Sequence, residues 1–595
     1  MPAAAAPSDR SPEPSKRKVD AITAEVIAHR LRAASEEMMA TLVKTSYSPN
    51  IKERRDCSTG IFDAQGRLLA LTAIAPLHLS SLIGTIENVI ARFPKEKLRP
   101  GDAFLVNDPY NGGGSHLPDI TVTGPVFHEG RLVAFVANIA HHSDVGGKVP
   151  GSESSDCTSI FQEGIRLPPV RILDRDVICE DVLNIILLNS RTPREREGDL
   201  KAQIATNIVG CRRVQEIFSR FGLDTTLAGI EAWLDYGEAR ARAGIRALPD
   251  GTYENEDFID HDGIVPRLIR ARVKVTVDGE RLVFDFTGSD AQMAGSRNMV
   301  WNAALAGVYY AVKALIDPDL PPNAGYFRAI EVIAPKGSIF NAQSPAAVGD
   351  RGSTGNVIGD VIFGAFAKAV PERVMAGCGP LHGLTFSGID PRRGEYFVNY
   401  ETYAGASGAQ HDQDGKDAVR VHVSGAANLP VEAAEHEFPL TVLRYALIQD
   451  SGGPGRFRGG LGTLREVISW AQDGRLVGRG LRQVVGAPGL QGGGTGRTGR
   501  FLMDAGTPAE HRLPANFSDL PIEPGHTIRI ETPAGAGFGD PFSRDPARVL
   551  ADVISGKVSQ VAARDAYGVA ITRTGHRFAV NAEETAALRG ARNAS

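Results

Sequence analysis

Histidine and aspartate crowd one stretch of this chain. Between Asp56 and Asp144 stand Arg54-Arg55-Asp56-Cys57-Ser58, Asn107-Asp108-Pro109-Tyr110, Gly112-Gly113-Gly114-Ser115-His116-Leu117-Pro118-Asp119 and His141-His142-Ser143-Asp144. Imidazole nitrogen and carboxylate oxygen together suit a borderline or hard divalent metal such as Zn, Mn or Fe. Such a centre points to metal-assisted attack on a carbonyl-like carbon rather than to phosphate or hydride chemistry. The same residues also serve as turn and loop caps, because Asn-Asp-Pro and Leu-Pro-Asp are good turn starts. Residue types alone leave both readings open. For Asp108 and Asp144 the capping role is the simpler one.

A centre built from four separate segments needs rigid supports. Apolar residues at helical spacing (Ile22, Val26, Ile27, Leu31, Met38, Met39, Leu42) predict a helix capped by Asp20. A second helix is expected over 79–93. Strands follow at 103–106, 120–127 and 131–140, and the last ends directly at His141-His142. Gly124-Pro125 inside the second strand marks it as an edge strand or a bulged one. Neighbouring side chains on an extended segment point oppositely, so His142 does not share a site with His141. Thr192-Pro193-Arg194-Glu195 has the form of a capping box opening a long helix that Gly222 ends. A partner over 227–248 completes an αα-hairpin with an architectural role. Strand signals return over 252–286, helices are expected at 299–316 and 355–370, and β character dominates from 386 to 532. The expected fold class is α/β (mixed α+β), large and multi-layered. The expected division is an arm at 1–19, an N-terminal α/β metal-binding region at 20–190, a helical hairpin at 191–250, a central α/β region at 251–430, a β-rich part at 431–544 and a helical tail at 545–595.

Composition excludes several function classes. A net charge of −5 over 595 residues, with no basic stripe, argues against a nucleic-acid surface. The five cysteines form no CxxC pair and are odd in number, which points to a reducing compartment. The Ala/Pro/Ser-rich start lacks the apolar core of a secretory signal, and no apolar run is long enough to span a bilayer, so the cytoplasm is the expected location. Gly492-Gly493-Gly494-Thr495-Gly496 lacks the Lys-Ser/Thr ending of a phosphate loop. Gly535-Ala536-Gly537-Phe538-Gly539-Asp540 has the wrong order for a dinucleotide fingerprint. No ATP site is expected on this chain.

Six motifs occur together, in order, between about Asp20 and Val569: Ser48-Pro49-Asn50-Ile51-Lys52-Glu53-Arg54-Arg55-Asp56; Asn107-Asp108-Pro109-Tyr110 with His116-Leu117-Pro118-Asp119; Ala140-His141-His142-Ser143-Asp144-Val145-Gly146-Gly147; Phe161-Gln162-Glu163-Gly164; Ser451-Gly452-Gly453-Pro454-Gly455; and Thr532-Pro533-Ala534-Gly535-Ala536-Gly537-Phe538-Gly539-Asp540-Pro541. With them the chain resembles the hydantoinase B / 5-oxoprolinase family, which includes subunits of acetone and acetophenone carboxylases. One departure is the stretch Gln483-Val484-Val485-Gly486-Ala487-Pro488-Gly489-Leu490, which lacks the Pro-Trp-Gly that often precedes a Gly-rich loop in that family.

The resemblance implies a B-type subunit working with an ATP-binding A-type subunit in a hetero-oligomer, α2β2. The partner phosphorylates the oxygen of a lactam, imide or ketone, and the B-type site completes the reaction. The expected activity is ATP-dependent hydrolysis of a cyclic amide, of the N-methylhydantoinase or 5-oxoprolinase type, with metal-activated water attacking the activated carbon. The family pattern supports Asp56, His116, Asp119 and His141 as metal ligands. His142 would contact substrate or orient a ligand. His78 would act as acid, base or substrate contact, or be merely a buried helix-start residue. Glu163 is a candidate base, and Cys57 packs beside the site. The alternatives are a subunit of an ATP-dependent ketone carboxylase, and a non-catalytic subunit whose His/Asp cluster only stabilises the fold.

Overall fold

A computed structural model describes residues 19–593. Apart from Val19, the arm expected over residues 1–19 lies outside them. The N-terminal half is organised by a seven-stranded sheet of β1 (Cys57–Asp63), β2 (Leu68–Ala73), β3 (Ala103–Val106), β4 (Asp119–His128), β5 (Arg131–His141), β6 (Val170–Asp174) and β7 (Val177–Ile178), in the order β2-β1-β5-β4-β3-β6-β7.

The β4–β5 hairpin turns through Glu129 and Gly130, both at positive φ. Its first pairs are His128↔Arg131 and Phe127↔Leu132. The register then shifts, so that Val126 faces Ala134 and, at the far end, Asp119 faces His141. Without that shift Asp119 would oppose Ala140, and a one-residue slip turns every later side chain to the other face. The bulge therefore aligns an acid and an imidazole across the strand ends. Gly124-Pro125 lies beside it. β4 is an interior strand, not an edge; the bulged alternative is the one observed. Pro125 is tolerated because the β3 ladder ends at Phe104↔Thr123, before it is reached.

Helices cover both faces of this sheet. α1 (Ala21–Thr45) starts where the Asp20 carboxylate accepts from the Thr23 N–H at 2.9 Å. After the short α2 (Pro49–Lys52) come α3 (His78–Arg92), α4 (Glu180–Leu188), α5 (Pro193–Phe221) and α6 (Leu223–Arg246). Ile27, Leu31, Val214, Phe218, Ile230 and Leu234 of α1, α5 and α6 pack on Ala134 and Val136. Leu79, Leu82, Ile86 and Val89 of α3 pack on Phe135, Ala137 and Ile139. From Ala134 onward, even-numbered residues of β5 thus face α5 and odd-numbered ones face α3. Gly222, at φ 77°, ends α5.

The capping box expected at Thr192 does not form. The Thr192 hydroxyl is buried without a hydrogen-bond partner. The Glu195 carboxylate turns to Arg196, at 3.2 Å, instead of reaching back to the cap. Pro193 alone supplies the start signal.

The rest of the chain adds β8 (Gly251–Ile259), β9 (Ile269–Asp278), β10 (Arg281–Asp285) and β11 (Ile330–Ile333), with β10–β11 the one parallel pair among the described strands. α7 (Trp301–Ile316), α8 (Ala324–Phe327) and α9 (Arg351–Phe366) follow. β12 (His382–Asp390) and β13 (Glu395–Tyr403) lead to α10 (Val431–Glu437), β14 (Leu440–Leu447), β15 (Thr463–Ser469) and β16 (Gln472–Arg479). Then come β17 (Arg500–Met503), β18 (His511–Leu513), β19 (Asn516–Ile522) and β20 (Thr527–Glu531). These strands form two sheets, β13-β12-β16-β19 and β14-β15-β20-β17-β18, around a second core that includes Leu384, Phe386, Leu476, Phe501, Ile528 and Ile530. The tail holds the expected short helices and also a hairpin, Ile571–Thr574 with Arg577–Val580. Among the described residues no helix is long and apolar enough to cross a membrane.

Candidate active site

The β4–β5 register brings Asp119 and His141 to one point, and the loop before β4 adds His116. A ligand atom from each of these three buried residues lies within 4.8 Å of the other two. His116 Nδ1 faces the Gly349 carbonyl at 3.1 Å, which leaves Nε2 as the free nitrogen. That nitrogen lies 3.1 Å from Asp119 Oδ2, yet neither His116 Nε2 nor Asp119 Oδ1 makes a hydrogen bond. Orphaned polar atoms at this depth are costly unless something else pairs with them.

Asp56 and His78 stand on the next layer. His78 begins α3, its Nδ1 2.8 Å from the Ser58 hydroxyl of β1. Its Nε2 is 3.6 Å from Asp119 Oδ1 and 3.8 Å from Asp56 Oδ1. His78 therefore separates Asp56 from the three-residue group, and Asp56 is the most exposed of these side chains, at 13%. Gly113, at φ 82°, crosses α3 so closely that a Cβ would fall 2.1 Å from the Gly84 carbonyl carbon.

His142 lies elsewhere. Its even position on the β5 pattern turns it to α5, where Nε2 meets Gln203 Oε1 at 3.0 Å. Burial, with Arg196 nearby, pushes its imidazole down to about 4, so it is neutral. Glu163 is also buried. Its Oε1 accepts from the Val348 and Gly349 N–H groups at 2.9 and 2.7 Å. Burial raises its carboxyl to about 8 in spite of those bonds. It thus supports the peptide whose carbonyl orients His116. Asp108 caps the turn at Tyr110 and Asn111 and pairs with Arg166, and Asp144 caps Gly146 and pairs with Arg191. Cys57 packs against Met39, its thiol pushed far up by burial.

Glu153, Arg479, Arg351 and Tyr400 also shape the site, and no motif announces them. Glu153 Oε1 sits between His116 Nδ1, at 3.1 Å, and His141 Nε2, at 3.2 Å. Arg479, at the end of β16, pairs with Glu153 and with Asp350. Arg351, opening α9, holds the Ser115 hydroxyl at 2.8 Å and the Asp119 carboxylate. Tyr400 of β13 stacks on His141 with ring centroids 4.5 Å apart. Burial opposes charge on Asp119, but His116, Arg351 and His78 hold its carboxyl well below the usual range. Glu153 is likewise held down against burial, chiefly by Arg479. Both acids are therefore anionic. Only the polar run Gly151-Ser152-Glu153-Ser154-Ser155, wholly buried, hinted at Glu153.

Two imidazoles and a fully buried anionic carboxylate, with two of their polar atoms making no hydrogen bond, form a donor set that fits a divalent cation. The chain's relatives match most of its length. The B-type subunit of a putative D-/L-hydantoinase from a Pseudomonas strain is 33% identical over 575 residues, 93% of this chain and 96% of that protein. The crystal structure of the ATP-dependent caprolactamase from Pseudomonas jessenii superimposes with a TM-score of 0.87 at 31% identity, covering 96% of this chain and all of the matched one. A nucleotide-free acetone carboxylase structure shares the fold, with a TM-score of 0.89 at 22% identity, over 96% of this chain and 83% of that one. The Hydantoinase B/oxoprolinase family model matches residues 20–541, and the chain belongs to the Hydantoinase B/oxoprolinase family.

Proposed function

We propose that this chain is the B-type subunit of an ATP-dependent cyclic amide hydrolase, opening a lactam or imide ring that an A-type partner has activated with ATP. The observation that carries the reading is the convergence of His116, Asp119 and His141, with His116 Nε2 and Asp119 Oδ1 making no hydrogen bond. These three would hold a divalent metal, Zn, Mn or Fe; Asp56, the fourth ligand that the family pattern implies, lies behind His78 and outside the group. When bound, the metal supplies Lewis-acid activation of water or of a carbonyl oxygen.

The chain's own residues do the rest. Gly349, itself held by Glu163, fixes the His116 ring so that Nε2 points inward. Arg351 and Ser115 fix the Asp119 carboxylate. Glu153, anionic and anchored by Arg479, faces both imidazoles and holds their orientation. His78, between Asp56 and Asp119 and backed by Ser58, is placed to pass a proton to the leaving ring nitrogen. His142 has a packing role against α5 and no part in the reaction.

Co-purification with an A-type subunit, followed by assay of ATP-dependent ring opening on a panel of hydantoins and lactams, tests the reading. Stoichiometric metal in the wild type that is lost in His116→Ala, with ring opening lost alongside it, supports it. Metal-free wild-type protein of unchanged stability would favour a purely structural role. Because the acetone carboxylase fold is shared, the same preparations are offered ketone and bicarbonate. ATP-dependent carboxylation without amide hydrolysis would replace the hydrolase reading.

A further inference from the structure

A second buried cluster lies away from the His116 centre. Asp360 is on the third turn of α9, Cys378 precedes β12, and His422 lies in the long loop after β13. A ligand atom from each lies within 4.8 Å of the other two. Their exposures are 8%, 1% and 4%. His422 Nε2 meets Asp360 Oδ1 at 2.8 Å, and the same oxygen accepts the Cys378 N–H at 3.0 Å. Asp360 Oδ2 is taken by Arg482, at 2.8 Å, which also holds Asp257. With Nε2–H donated to Asp360, the lone pair of His422 Nδ1 faces the Tyr310 hydroxyl, 3.4 Å away. A carboxylate on one imidazole nitrogen is the contact that orients metal-ligating histidines, and a ligand on the other would displace only the long Tyr310 contact.

The backbone is shaped around this imidazole. His422 sits at φ 59°, a region non-glycine residues seldom occupy. Gly359 leaves the room, since a Cβ there would lie 2.6 Å from the ring. Among the described residues the Cys378 sulfur has hydrogen-bond partners in the Met375 sulfur, at 3.7 Å, and the Ala376 carbonyl, at 3.9 Å.

We propose that Cys378 and His422, oriented and backed by Asp360, form a second, thiolate-containing site for a borderline-soft divalent cation of the zinc class. Binding expels the thiol proton and any proton on His422 Nδ1, so affinity rises with pH. The site is independent of the functional reading above. Its role is mechanical. It ties α9, which carries Arg351 to the active site nine residues earlier, to the segment 422–423. The Val423 carbonyl accepts the N–H of Leu77, next to His78, at 3.4 Å.

The probe is cadmium, added to the full chain after chelator treatment. A thiolate-to-metal charge-transfer band in the ultraviolet is expected, because the His116 centre contains no thiol. Cys378→Ser should abolish the band and lower bound cadmium by one ion per chain, while His116→Ala should keep the band. In the wild type, cadmium should slow alkylation of Cys378, followed by peptide mass spectrometry, at least tenfold relative to the other four cysteines. This second measurement does not depend on a variant folding. No band in the stripped wild type, a band that persists in Cys378→Ser, or alkylation of Cys378 that cadmium leaves unchanged would each overturn the proposal.

Discussion

Asp119→Asn, made with and without Arg351→Met, isolates what the site costs the protein. Asp119 is fully buried and Arg351 nearly so, and they pair directly, with Ser115 Oγ between them. Removing the carboxylate charge leaves a buried guanidinium with only a hydroxyl and a neutral amide. Stranding one member of a buried pair costs about 3–5 kcal/mol, whereas replacing both is near neutral. For 595 residues, an unfolding entropy of about 2.1 cal/mol/K per residue converts that cost into a fall of roughly 2–4 °C in the melting midpoint. Thermal melts of chelator-treated protein should show this fall for Asp119→Asn and recovery of at least half of it in the double variant. Neither variant should bind metal at the His116 centre. A single variant as stable as the wild type, or a double variant less stable than the single one, would refute the electrostatic reasoning. It would mean that Arg351 is compensated from elsewhere.

The remaining predictions are shorter. Glu163 keeps its proton up to about pH 8 in the folded chain but loses it near 4.5 when unfolded. The folded state thus binds more protons in that window, so the stability it contributes is lost as pH rises toward 8. Glu163→Gln should flatten that slope in melts taken across pH. His142 has the opposite sense of pH dependence. Its folded value of about 4 lies below the ordinary 6.5, so its burial penalises the fold progressively as pH falls between those values, and His142→Gln should lessen the acid lability. The same variant should retain full metal content, because His142 faces Gln203 rather than His116. Thr192→Ala should change stability by less than about 0.5 kcal/mol, since its hydroxyl caps nothing, while Asp20→Ala should cost about 1 kcal/mol in denaturant melts.

The local parts of the site were legible in the chain and the distant parts were not. The helices at α1, α5 and α6 and the strand ending at His141 follow from apolar periodicity, and the opposed aim of His141 and His142 follows from strand alternation alone. The facing of Asp119 and His141 depends on a bulge. Gly124-Pro125 advertised one without giving its register consequence. Glu153, Arg351, Arg479 and Tyr400 belong to no local pattern, because each is recruited through pairing between segments far apart in the chain. Thr192 shows the reverse failure: a complete capping motif was present, and a neighbouring arginine took its glutamate.

The arginines that neutralise the site have a consequence for how the molecule is made. Asp119, His116, His141 and Glu153 all leave the ribosome long before Arg351 and Arg479. Synthesised from its N-terminus, the growing chain lacks both guanidinium groups of the pocket until α9 and then β16 arrive to close it. A chain cut short before residue 351 would carry all the proposed ligands and yet lack the guanidinium that sets the Asp119 carboxylate. The pocket is therefore finished only in a chain that has grown past residue 479.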